Sequence, residues 1–136
     1  MIETAVRTIL TADPDVSEVV VDRVWLGPGS RPQNERRPGI VITRTGGGDQ
    51  YDIEGVAGYA QGTLQADVLC PTYQAAKELA AKVVTALHNY TGTVAGLVID
   101  WLSVGADQND IPAVPLEGKA LPTFGVSLEI DFMHQR

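Results

Sequence analysis

The sequence predicts an α+β fold, an antiparallel or mixed β-sheet with two α-helices packed on one face. Three observations carry this expectation. Two segments, one at the start of the chain and one near its middle, repeat apolar residues at helical spacing. Several others alternate apolar and polar residues with a period of two, most clearly from Phe124 to Phe132. Clusters rich in glycine and proline punctuate the segments. The chain has 136 residues. That length predicts a single domain over residues 1–136, which would bury roughly two thirds of the unfolded chain's surface.

In the first segment Ile2, Ala5, Val6, Ile9 and Leu10 share one face, with Glu3 and Arg7 on the other. This predicts a helix from Ile2 to about Ala12. Asp13-Pro14 ends it, because the residue before a proline avoids helical backbone. Val19 to Trp25 is rich in β-branched residues and reads as a strand. Gly27-Pro28-Gly29-Ser30-Arg31-Pro32 opens a long loop at about residues 27–38, which also holds Arg36 and Arg37.

Ile40 to Thr45 reads as a strand, Gly46-Gly47-Gly48-Asp49 as a turn and Tyr51 to Val56 as a short return, giving a hairpin over Ile40 to Val56. Leu64, Ala66, Val68 and Cys70 alternate with Gln65 and Asp67 along a strand from Gly62 to Cys70. Pro71 stops that strand, and Thr72 is placed as the N-cap of the second helix. Ala76, Leu79, Ala80, Val83, Val84 and Leu87 form its stripe, and it ends near His88-Asn89-Tyr90. Leu97 to Val104 reads as a further strand containing Trp101. Gly105 to Pro122, with Pro112, Pro115 and Gly118, reads as a second long loop at about residues 105–122. In the last strand Phe124, Val126, Leu128, Ile130 and Phe132 face one way, and Thr123, Ser127, Glu129 and Asp131 the other.

Charge and cysteine content narrow the function classes. The net charge is −7, which repels nucleic-acid backbones and anionic membranes. The single cysteine, Cys70, excludes an internal disulfide framework and a multi-cysteine zinc site. No apolar run approaches the 18 or so residues of a membrane span. The start Met1-Ile2-Glu3 lacks the basic region of a signal peptide, so folding in a reducing cytosol is expected.

The residues that could carry chemistry do not assemble into a site. Cys70 falls on the apolar side of a strand, where a thiol is structural. His88 sits at a helix end and His134 in the C-terminal tail, too isolated for a metal site. The Gly46–Gly48 run lacks the lysine and hydroxyl of a phosphate loop. Asp49, Asp52 and Glu54 lie in a solvent-facing hairpin. Asp107, Asn109 and Asp110 lack the glutamate and central glycine of a calcium loop. No nucleophile, base and orienting group come together, so no enzyme and no cofactor are expected. The candidates that remain are for protein contacts: Arg31, Arg36 and Arg37 on the first loop, and Asp107, Asp110 and Glu117 on the second. Opposite charges on two separate loops suit a subunit that touches its neighbour head to tail. A small ligand-binding domain or enzyme using Asp107, Asp110 and Glu117 is the alternative from the residues alone.

Several segments also occur in a familiar order. They are Leu10-Thr11-Ala12-Asp13 at the end of the first helix and Asp22-Arg23-Val24-Trp25. Arg37-Pro38-Gly39-Ile40-Val41-Ile42 follows, then Leu64 to Cys70 leading into the Thr72–Tyr90 helix, and last the Phe124–Phe132 strand. In this order the chain resembles the tail completion, or tail terminator, proteins of long-tailed (siphovirus-type) phages and prophages. Members often carry Arg-Val-Tyr where this chain has Arg23-Val24-Trp25. The Gly105–Pro122 segment departs most from the family pattern.

The resemblance implies a structural protein of the virion tail or neck that assembles in the host cytoplasm and is not an enzyme. It implies a ring-shaped homo-oligomer, usually a hexamer, on the head-proximal end of the tail tube. Its partners would be itself, the major tail tube protein and a head-side connector or stopper. DNA would pass through the lumen without specific binding, and no membrane is involved. Another neck component, a head-completion or stopper protein, is the alternative within the same class.

Overall fold

The apolar repeat at the start of the chain forms α1, Ile2–Ala12, with Ile2, Ala5, Val6, Ile9 and Leu10 buried. Its end is a correction to the expectation of a strand at Val19–Trp25. Asp13 holds extended backbone, as a residue before proline should. Its carboxylate then accepts from the Asp15 and Val16 amides, capping a second helix, α2, Pro14–Val20. Proline fits the first helical position, where its missing N–H would be unpaired in any case. One dipeptide therefore stops one helix and starts another. Val21 follows at a positive φ of 59°, and only Val24–Leu26 is left for the strand β1.

The computed structural model describes residues 2–27, 29–32, 35, 37–52, 55–105, 109–115 and 122–135. After β1 come β2, Gly39–Asp52, and β3, Gly55–Cys70. Helix α3, Tyr73–Leu87, follows, with the Thr72 side chain accepting from the Ala75 amide at its N-cap. Then come β4, Gly92–Val94; β5, Leu97–Val104; β6, Asn109–Pro115; and β7, Pro122–Gln135. The sheet runs β1-β2-β3-β7-β5-β4, with β6 also pairing with β7. Every neighbouring pair is antiparallel except β1 with β2, so the sheet is mixed.

Three helices, rather than the expected two, lie against the face that carries Leu64, Ala66, Val68 and Cys70 of β3 and Val126, Leu128, Ile130 and Phe132 of β7. Ile40 and Ile42 of β2 and Ile99, Leu102 and Val104 of β5 complete that layer. Among the described residues no helix lies on the opposite face. Its centre is polar: Thr63 pairs across from Asp131, Gln65 from Glu129 and Asp67 from Ser127. Thr63 Oγ1 donates to Asp131 Oδ1 at 2.9 Å, and Gln65 Nε2 to Asp67 Oδ1 at 2.8 Å.

Two further expectations are corrected. The run Gly46–Gly48 is not a turn. It lies inside β2, opposite Thr63, Gly62 and Gln61, and the ladder continues outward to Asp52 opposite Gly55. The segment from Gly105 to Pro122 is not a plain loop either. Gly105 donates its amide to the Glu129 carbonyl at 2.9 Å, and β6 then extends along the same flank of β7 that β5 occupies. Strand pairing supplies the partners that a buried backbone needs.

Candidate assembly surface

The ladders bring the two sequence-predicted loops to one end of the sheet. Loop 27–38 leads into Gly39, which pairs with Leu69; Cys70 pairs with Phe124; and the β6–β7 ladder runs past that point to Pro115 opposite Pro122. Helix α3 starts at the same end, three residues after Cys70. Three inter-strand spacings separate β2 from β6, about 14 Å. At the other end β2 and β3 project as a two-stranded ribbon beyond Tyr59 opposite Gln135, the last pair made with β7.

The first loop is fastened by its own charges. Gly27 and Gly29 adopt positive φ of 92° and 73°, backbone that glycine enters without strain. Arg37 grips the Glu35 carboxylate with two bonds, Nε to Oε1 at 2.8 Å and Nη2 to Oε2 at 2.7 Å, and its amide adds a third at 2.9 Å. This grip holds the Glu35 carboxyl down to about 2. Arg31 is half-buried and turns back to donate to the Glu35 carbonyl. Its Nε is buried without a partner among the described residues, and desolvation lowers its pKa despite the nearby Glu35. Arg31 therefore lies folded over the sheet end, and Arg37 is exposed with its fork engaged. Arg36 lies outside the described residues.

On the second segment, Asp110 is exposed and meets α3. Tyr73 and Lys77, four residues apart, share one helix face. Tyr73 Oη donates to Asp110 Oδ2 at 2.7 Å, and Lys77 Nζ reaches Oδ1 at 2.6 Å. The ammonium also sits 5.2 Å from the centre of the Tyr73 ring. Lys77, then Tyr73, pulls the Asp110 carboxyl below its usual range, and Asp110 in turn raises Lys77. Asp107 and Glu117 lie outside the described residues. The sequence reading missed this cluster. Tyr73 and Asp110 are 37 positions apart, and no local pattern links them.

The other chemistry-bearing residues are built into the scaffold. Cys70 is fully buried, and desolvation pushes its thiol up to about 11. His88 Nδ1 accepts from the Val104 amide at 3.1 Å, and His134 stacks on Phe132 with ring centres 5.7 Å apart. No helix among the described residues is long and apolar enough to cross a membrane. Two segments that carried the family resemblance, Asp22–Trp25 and Arg37–Ile42, turn out to be neighbours: Val24 pairs with Ile40 and Trp25 with Val41. Arg23 ties them further, donating to the Pro38 carbonyl at 2.8 Å and the Val19 carbonyl at 3.1 Å.

Known proteins place this arrangement. A solved chain from "Virion of native gene transfer agent (GTA) particle" superposes with a TM-score of 0.71 at 17% identity, covering 98% of this chain and 94% of that one. Another solved chain superposes with a TM-score of 0.50 at 16% identity, covering 96% and 94%. At these identities the likeness speaks for the fold. No curated protein matches the chain. Residues 4–111 match the family described as Tail completion protein gp17. The chain belongs to that family of structural proteins of the viral tail.

Proposed function

We propose that this chain is the terminator subunit of a long phage tail. Copies of it form a ring, a hexamer by the family resemblance, on the head-proximal end of the tail tube. The ring stops tube polymerisation and offers the surface that the head-side connector joins. The observation that carries this reading is the two-ended body. One end of the sheet presents loop 27–38, the start of α3 and the β6–β7 ladder, and the other presents the β2–β3 ribbon. A subunit placed between tube and connector needs two unlike ends. The shared fold with a chain of a gene transfer agent virion supports the same reading.

The role is structural, with no catalysis and no cofactor. Asp110, the described member of the carboxylate set that an enzyme reading would use, is already engaged by Lys77 and Tyr73. The net charge of −7 suits a lumen through which DNA slides without adhering. The subunit assembles in the host cytoplasm and ends in the virion neck.

The test is to add the protein to growing tail tubes and image them. Tubes of arrested length with a density ring at one end are expected. Tubes that keep growing with bare ends would refute the reading. A stopper protein would bind the connector and leave tube growth unchanged.

A further inference from the structure

The break between α1 and α2 leaves backbone acceptors without donors. The last bond of α1 runs from the Asp13 amide to the Ile9 carbonyl at 3.1 Å. A continuing helix would bring the amides of residues 14, 15 and 16 to the carbonyls of Leu10, Thr11 and Ala12. Pro14 has no N–H, and the Asp15 and Val16 amides go to the Asp13 side chain instead. Among the described residues those three carbonyls take no backbone donor. At the end of α3 the Thr85 and Ala86 carbonyls are left in the same way. The His88 amide closes onto Val84, the Tyr90 amide onto Leu87, and the Asn89 amide crosses to the Leu102 carbonyl at 2.9 Å. Neither helix has a basic residue in its last turn.

Both helix ends border one groove of about 560 Å³, a volume within the range of ligand pockets. Ala12, Pro14, Ala86 and Val94 give it short apolar walls, Tyr90 contributes an aromatic residue and Asp13 a carboxylate. Asp13 is half-buried. Its Oδ1 caps α2, and its Oδ2 takes no partner among the described residues. None of the lining residues is basic. Lys82, one turn before Ala86, is half-buried and does not line the groove. The carbonyl ends of two helices and a carboxylate therefore give the groove negative polarity. The one opposing pole, the N-terminus of α2, is closed by the Asp13 cap, with Asp15 in its first turn.

We propose that this groove seats an arginine side chain of a partner protein. Arginine has an aliphatic stem for the short apolar walls and five donors for the carboxylate and the unpaired carbonyls. Its planar head also stacks on an aromatic ring, which lysine does not match. The partner is a different protein, because the described arginines of this chain are already engaged. Arg7 holds the Val24 carbonyl, Arg23 the Pro38 and Val19 carbonyls, and Arg31 and Arg37 hold Glu35. Arg44 sits 5.5 Å from the centre of the Phe132 ring. The inference goes beyond the terminator reading and does not depend on it, since its test uses the chain alone.

The probe is arginine capped at both ends, titrated into the protein and followed by amide NMR. Shifts confined to the groove, at Ala12, Thr93 and Ala95 among others, are expected. Capped norleucine, which has the apolar stem without the charge, and capped glutamate should leave these amides in place. Asp13→Asn removes the charge and keeps the cap, since asparagine and aspartate cap helices about equally well. Its melting temperature should match the wild type, while its binding weakens about threefold, as for an exposed ion pair lost. Ala86→Leu fills the groove from a helix that tolerates leucine, and it should abolish the shifts.

No localised shift with capped arginine would overturn the proposal. Equal shifts with norleucine would make the groove merely apolar and overturn it too, as would unweakened binding by the Asp13→Asn variant. Groove amides that move with protein concentration alone would seat a second copy there instead. None of these outcomes bears on tube capping, so the terminator reading stands or falls separately.

Discussion

Val21 is a β-branched residue at φ 59° and ψ −99° with 58% of its surface exposed. Such backbone costs of order 1–3 kcal/mol for a non-glycine residue, and little packing is gained in return. Val21→Gly should therefore stabilise the fold by roughly 0.5–1 kcal/mol after the greater freedom of unfolded glycine is deducted. Thermal melting checks this, and a lower midpoint would refute it. Glu35 gives a pH signature. Its carboxyl falls from 4.5 to about 2 on folding, chiefly through the Arg37 hydrogen bonds. A depressed carboxylate adds stability above its unfolded value and loses it as pH falls through the folded one. The wild type should thus lose more stability than Glu35→Gln between pH 4.5 and pH 2. Parallel melting curves for the two across that window would show the grip to be without effect.

At the scale of elements, how well each segment could be read follows from how local its signals are. Helix α3 was readable because its cap, Thr72, and its stripe lie within one stretch of chain. The β7 alternation was readable because one face is covered by helices and the other, among the described residues, carries none. Helix α2 was missed because Asp13-Pro14 serves as a stop and a start at once. The ends of β2 and β3 were missed because glycine marks turns more often than strand interiors, and β6 because Pro112 and Pro115 argue against a strand except at an edge. The fastening of Asp110 by Tyr73 and Lys77 depends on β7 carrying β6 back to α3, which no local pattern encodes. The packing of β1 on β2 depends on one residue. A Cβ at Gly39 would lie 2.3 Å from Trp25 Cζ3 and 3.0 Å from the Arg23 carbonyl oxygen. Gly39→Ala should cost about 1–3 kcal/mol as Trp25 is forced aside. Denaturant unfolding measures the loss, and wild-type stability in the variant would show that Trp25 has room to move.

At the scale of the whole molecule, one face of the sheet carries the helices and the other has a polar centre. Burial on the helical side, from Ile2 through Phe132, holds the subunit together. On the proposed reading, the two unlike ends of the sheet are left for contact with other proteins. Tube capping reports on those ends.

The sealed thiol of Cys70 has a consequence beyond the subunit. A sulfur shut inside the core, its thiol pushed up by desolvation, cannot reach a second thiol to bridge folded copies. In oxidising surroundings this thiol therefore adds no disulfide between copies of the chain. Under the terminator reading proposed above, reducing agents should leave its assembly intact, and size measurements with and without reductant check this.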